Sequence, residues 1–207
     1  MPATRLRRAL GGASATALLL TAAASAPVLK PDAAPCARLL EASATYRAYE
    51  HTFTTDAAGR PVEAVAKTLV DRDAPRGSCE GKVGDWGGSG DWQGGHLIAA
   101  SFRGASMRYN LVPMRGRQIN QGLMKRVENG ARACLEDGGE VRDYRVRLHY
   151  PDRRTLTPDT IRVSLKVASR PVTFTLPNRT LSAEDLESQQ NGITAAFDAA
   201  PCGRDGA

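Results

Sequence analysis

The sequence predicts an α+β fold built on an antiparallel β-sheet, and three patterns carry that expectation. Several strand-length segments alternate apolar and polar residues, the period of a half-buried strand. One longer central segment places its apolar residues three to four positions apart, the spacing of a helix buried along one face. Clusters of Gly, Asp and Pro separate these segments and supply turn chemistry. Hydrophobic residues make up 42% and charged residues 24% of the 207. That balance excludes wholesale disorder, collagen, a coiled coil and a polytopic membrane protein, and the length suits one domain with tails.

The elements follow in order. Residues 1–26 have a basic start (Arg5, Arg7, Arg8), an uncharged apolar stretch around Leu18-Leu19-Leu20, and small residues at Ala22 to Ala26. This is the layout of a secretory signal peptide, cut after Ala24 or Ala26; an uncleaved anchor is the competing reading. No later stretch is apolar and long enough to span a bilayer, so the mature form is expected to be secreted, with no membrane contact. Residues 27–45 read as a linker, with Pro31 to Pro35 at its heart, and a short helix over 37–44. Residues 46–178 form the folded domain, and 179–207 a C-terminal tail tethered by a disulfide.

Within the domain, Tyr49, His51 and Phe53 alternate with polar neighbours and 61–70 alternates again, predicting a hairpin around Asp56-Ala57-Ala58-Gly59. Residues 72–90 read as a long loop. Residues 94–102 form a short apolar strand entered through two glycines, and 109–113 a second strand or turn. Residues 118–136 predict a helix with Leu123, Val127, Ala131 and Cys134 on one face, ended by Gly138-Gly139. Three strands follow over 141–150, 161–167 and 172–176. In the first, Tyr144, Val146, Leu148 and Tyr150 face one way and Arg145, Arg147 and His149 the other. Ser182 with Asp185 marks a helix start, and the chain from Asn191 onward reads as loosely structured.

Four cysteines, Cys36, Cys79, Cys134 and Cys202, read as two disulfides in an exported chain. Three pairings are open; Cys36–Cys202 with Cys79–Cys134 is the one expected here. No CxxC or HxxxH spacing supports zinc. Charge is concentrated. The chain carries +6 overall, but residues 98–177 alone hold 15 basic and 7 acidic groups. Residues 103–132 contain seven basic residues and one acid, Glu128. Such clustering suits a polyanion, most commonly nucleic acid, with a solvated basic face as the plain alternative.

Three runs then occur in order: Gly94-Gly95-His96-Leu97-Ile98-Ala99, Asn110-Leu111-Val112-Pro113, and Asn120-Gln121-Gly122-Leu123-Met124-Lys125-Arg126-Val127-Glu128-Asn129. Together they resemble the DNA/RNA non-specific endonucleases, whose active site is a ββα-metal (His-Me) finger. The likeness is greatest to the bacterial branch of secreted nucleases and toxin tips, and it spans about 130 of the 207 residues. It implies a nuclease domain over 46–178 that hydrolyses phosphodiester bonds of DNA and RNA with one Mg2+, Mn2+ being the alternative cation, and leaves 5′-phosphate products. An interbacterial toxin with an immunity partner, or a relative that binds nucleic acid without cutting it, are the competing readings.

The resemblance makes His96 the general base, a role that suits an imidazole whose pKa lies near working pH. It makes Asn120 the protein ligand of the cation, whose reluctance to dehydrate suits a neutral amide and waters. Glu128, two turns along and about 80° around an ideal α-helix, would hold metal-bound water. Gly95 and its neighbour Gly94 would admit the phosphate backbone, and Asn110 would fix the loop beside His96. Arg103, Arg108, Arg115, Arg117, Lys125 and Arg126 are the candidate phosphate contacts; contacts of this kind carry no base information. The family's Asp three residues before the His is Gln93 here, which can hydrogen-bond but supplies no charge; Asp91 lies two residues earlier still. Met124 stands where relatives have Trp. Outside the motifs, His51 and His149 are read as non-catalytic. Glu128 could instead pair with Arg132, and Trp86 and Trp92 are read as loop packing with base stacking as the alternative.

Overall fold

The computed structural model describes residues 28–29 and 36–202; the segment read as a signal peptide and Pro31 to Pro35 of the expected linker lie outside them. In chain order the elements are β1 (Val28–Leu29), β2 (Thr45–Ala48), β3 (His51–Thr55), β4 (Pro61–Thr68), α1 (Cys79–Asp85), β5 (Trp92–His96), a 3-10 turn (Arg108–Asn110) and β6 (Leu111–Arg115). A π-helix (Gly116–Met124), α2 (Lys125–Glu136), β7 (Val141–His149), β8 (Thr160–Val167), β9 (Arg170–Pro177) and α3 (Ala183–Asp198) complete them. The sheet order is β1-β2-β3-β4-β7-β8-β9, with β5 and β6 paired apart as a two-stranded ribbon. Among the named strands of the described residues, β1 and β2 pair parallel and the other pairs are antiparallel. The α+β class with an antiparallel sheet is therefore the one observed.

Period-two alternation decides which face is buried. Ile161, Val163, Leu165 and Val167 of β8 face the core while Arg162 and Lys166 face water; one solvated face is normal for an antiparallel sheet. In β7 an extra residue between Arg142 and Arg145 shifts the register against β8. Asp143 takes φ 51° there. The bulge turns both Val141 and Tyr144 inward although they are three apart.

Against this face lie the ribbon and the long helix. Leu123, Val127, Ala131 and Cys134 are all buried, as their spacing predicts. The helix starts earlier than expected, and its first nine residues are π-wound, so the 80° reckoned between Asn120 and Glu128 does not apply. α3 also corrects the sequence reading, because the chain is helical from Ala183 through Asp198. Ser182 caps it by accepting from the Asp185 amide at 3.1 Å. Phe197 stacks on Phe174 at 5.9 Å and lies over Gly130, where a Cβ would sit 2.4 Å from its ring.

Other departures have physical causes. Residues 37–44 form no helix, since their backbone is taken by the β3–β4 turn: Leu40 N donates to Gly59 O and Ser43 N to Asp56 O. The expected loop over 72–90 contains α1, a helix with two glycines and low propensity that local pattern could not reveal. The apolar strand expected over 94–102 is instead β5, ending at His96, and a buried turn beyond it. The disulfides are Cys36–Cys79 and Cys134–Cys202, not the pairing expected. The first pins α1; the second fastens the end of α3 to α2. Among the described residues, no helix is long and apolar enough to cross a membrane.

Replacing Cys134 and Cys202 by Ser is expected to lower unfolding stability by about 2–4 kcal/mol, read from the urea midpoint; an unchanged midpoint would show the bond to be dispensable. His51 supplies a pH prediction. It is buried, with Nε2 2.7 Å from Phe102 O, and burial holds its pKa below the usual imidazole value. The unfolded chain then binds the extra proton. Stability is full above about pH 6.5 and declines as pH falls toward the folded value. His51→Gln should flatten that part of a melting-temperature profile, and an identical slope in both proteins would contradict it.

Candidate active site

Strand β5 ends at His96, whose Cα partner across the ribbon is Leu111. The chain then leaves, and Asn110 sews it back. Its carboxamide is fully buried, with Oδ1 accepting from Ile98 N at 2.9 Å and Nδ2 donating to Ile98 O and Ala105 O. Leu97 N also donates to Asn110 O, and Tyr144 reaches from the sheet to Leu97 O. The backbone on both sides of the imidazole is thereby fixed to the core.

The π-helix brings Asn120 to the same place. Gln93 Oε1 accepts from Asn120 Nδ2 at 2.9 Å and from Gln121 Nε2 at 3.0 Å. With its nitrogen committed to Gln93, Asn120 presents Oδ1, which would lie 2.8 Å from a Cβ on Gly95. Gln93 therefore orients the amide on the helix, and Asp91 does a different job. Asp91 accepts from Arg117 N at 2.8 Å and holds the turn that starts the π-helix. The two glycines are not open to a phosphate backbone. A Cβ on Gly94 would meet Glu80 O at 2.2 Å, and one on Gly95 would meet Met114 Sδ at 2.3 Å. They exist so that α1 and the ribbon can pack closely.

His96, Asn120 and Glu128 line one cleft of about 680 Å3, together with Gln93, Lys125, Trp92, Arg76, Glu80 and Arg132. Burial dominates its electrostatics. It pushes the His96 imidazole down to about 4, with Glu80 opposing and Arg76 reinforcing the shift. It pushes the Glu128 carboxyl up to about 7 against the pull of Lys125, Arg132 and Arg76. Glu128 pairs with Lys125 at 3.7 Å rather than with Arg132, which pairs with Asp71 at 3.3 Å. No group of three or more His, Cys, Asp or Glu among the described residues could hold a metal. A cation here would rest on the Asn120 oxygen, with Glu128 as the desolvated carboxylate that gains most from added positive charge.

The basic candidates divide. Lys125 lines the cleft. Arg103 stacks on Tyr49 at 4.5 Å and pairs with Glu50, and Arg117 pairs with Asp91 at 3.6 Å; neither lines it. Arg126 donates to Thr194 on α3. Arg108 is wholly buried, with Nη1 donating to Leu111 O and the guanidinium 5.1 Å from the Trp86 ring. Arg115 sits 4.1 Å over the ring of Trp92 and so backs the cleft rim. Sequence reasoning missed Arg76 as a cleft residue, and Glu80 with it, because both fall in the segment read as a featureless loop. His149 is exposed and paired with Asp159 at 2.7 Å.

The sequence profile of the DNA/RNA non-specific endonuclease family matches residues 42–169. No protein of curated function matches the chain. Among solved structures, NucA from Streptococcus agalactiae with magnesium ion bound is 23% identical, with a TM-score of 0.53 over 69% of this chain and 76% of that one. NucA from the same organism with no metal bound is 21% identical, with a TM-score of 0.49 over 68% and 75%.

Asn110→Ala would strand the Ile98 amide and two carbonyls away from water. It is expected to cost about 2–4 kcal/mol of stability, measured by urea unfolding; a loss too small to resolve would mean that the loop beside His96 is held by other contacts.

Proposed function

The chain belongs to the DNA/RNA non-specific endonuclease family, and from that nuclease identity we propose that it is an exported, Mg2+-dependent enzyme that hydrolyses DNA and RNA with little sequence preference. The observation that carries the proposal is the convergence of the His96 imidazole and the oriented Asn120 oxygen on one cleft. Two disulfides support export.

His96 is neutral at pH 7 and so able to take the proton of an attacking water, although the burial that lowers its pKa also makes it a weaker base than a free imidazole. Asn120 would hold a divalent cation, Mg2+ or Mn2+, through Oδ1, and Glu128 would hold the cation's hydration shell. When bound, the cation stabilises the charge that builds on the phosphate and the departing oxygen. Arg76, Lys125 and Arg132 place positive charge along the cleft for phosphate oxygens, and Trp92 offers an aromatic face at its rim. Nothing in this set requires a particular base, because phosphate contacts position a strand without reading it.

The test is cleavage of supercoiled plasmid and of a structured RNA. With Mg2+ the protein should yield nicked and linear plasmid, and with EDTA none. His96→Ala and Asn120→Ala should lower the rate by roughly 10²–10⁴-fold, with melting temperatures near the parent's. Arg76→Ala should raise KM and lessen the salt dependence, whereas Arg103→Ala should do neither. Plasmid that is retarded on a gel but stays intact in Mg2+ and Mn2+ would defeat the proposal.

A further inference from the structure

Glu80 is a partly buried carboxylate beside the imidazole, and no step above uses it. It stands on α1 directly after Cys79, whose disulfide to Cys36 anchors the start of that helix. The bare Cα of Gly94 lets the Glu80 backbone lie against β5. Glu80 Oε1 accepts a hydrogen bond from Ser106 Oγ at 2.6 Å and lies 3.7 Å from His96 Nε2. Ser106 Oγ is 3.4 Å from the same ring nitrogen. Glu80 Oε2 is buried and has no hydrogen-bond partner among the described residues.

The direction of these bonds follows from donor counting. A serine hydroxyl has one proton, and Ser106 directs it to Glu80. Toward His96 its oxygen can then only accept, so the hydrogen sits on Nε2. We propose that Glu80, through Ser106, is the positioning residue that holds His96 in the Nε2-protonated tautomer and leaves Nδ1 as the proton acceptor.

This deepens the nuclease reading and rests on it. As the water oxygen bonds to phosphorus, the P–O bond to the departing oxygen breaks, the water proton passes to Nδ1, and the departing oxygen, leaving with the electron pair, takes a proton from solvent. The imidazolium so formed faces the Glu80 carboxylate 3.7 Å away, and the proton is later released to solvent. Glu80 thus supplies from a different element the negative charge that Gln93 lacks. The charged groups around the imidazole are Glu80 on α1 and Arg76 in the segment before it, with Asp73, Asp85 and, on α2, Lys125, Glu128 and Arg132 lining the same cleft.

The experiment uses the oxidised protein with 15N-labelled histidine, alongside Glu80→Ala, Glu80→Gln and Ser106→Ala. The His96 signals are assigned from their loss in His96→Ala. In the parent, the ring should show the Nε2-protonated tautomer at neutral pH. Glu80→Ala should give a mixture of tautomers, lower kcat by about 10- to 100-fold with KM unchanged, and move the acidic limb of the kcat–pH profile to lower pH. Glu80→Gln keeps an acceptor without charge, so it should preserve the tautomer yet still shift the limb. A parental tautomer and parental pH limb in both Glu80 variants would overturn the proposal. If the parent itself cuts no nucleic acid, the nuclease reading fails, while the tautomer of Glu80→Ala still decides the role of Glu80.

Discussion

A hydrogen bond between two carboxamides, from Asn120 Nδ2 to Gln93 Oε1 at 2.9 Å, joins the strand that carries the imidazole to the helix that carries the amide. Both partners are uncharged, so the bond fixes direction without adding a charge beside the proposed cation ligand. It leaves the Asn120 oxygen facing the Gly95 backbone next to His96. The π-wound start of the helix sets the register that allows this contact, because an α-helical turn would carry residue 120 to a different angle. The ribbon, Asn110, Asp91 and the close packing at Gly94 and Gly95 all act to keep these two elements in that relation.

Desolvation shapes the chemistry of the cleft more than any single ion pair. The same burial that keeps His96 unprotonated makes Glu128 hard to ionise, since in each case it disfavours the charged form. Arg76, Lys125 and Arg132 offset part of that cost for Glu128, and a divalent cation would offset more. The cleft lining sets Arg76, Lys125 and Arg132 against Asp73, Glu80, Asp85 and Glu128, so a substrate whose every repeat carries a negative charge would be met by those three bases together with an added cation.

Much of the fold was legible locally. The strands of the large sheet announce themselves through alternation, as in Ile161, Val163 and Leu165, because a side-chain period of two survives in any strand with one wet face. The helix face through Leu123, Val127, Ala131 and Cys134 was legible for the analogous reason. The illegible parts are those where long-range contacts override local preference. Residues 37–44 have helical composition but give their backbone groups to the β3–β4 turn. The α1 segment contains two glycines and is helical because a disulfide and the ribbon hold it. Arg108 was indistinguishable in sequence from the exposed arginines, yet it is enclosed by the Leu111 carbonyl and Trp86.

The order and spacing of three short runs determined which imidazole and which amide belong together, since chain connectivity alone brings adjacent strands and the following helix into one unit. Tertiary structure alone decided which charges join them. Arg103, Arg117 and Arg126 lie close in sequence to the site but turn toward Glu50, Asp91 and Thr194, while Arg76 and Glu80 enter from a segment without periodicity. The cysteine pairing was decided in the same way. A strand or helix is written in its own periodicity, but charge partners and disulfides depend on where separate elements meet, and that is set by the packing of the whole core.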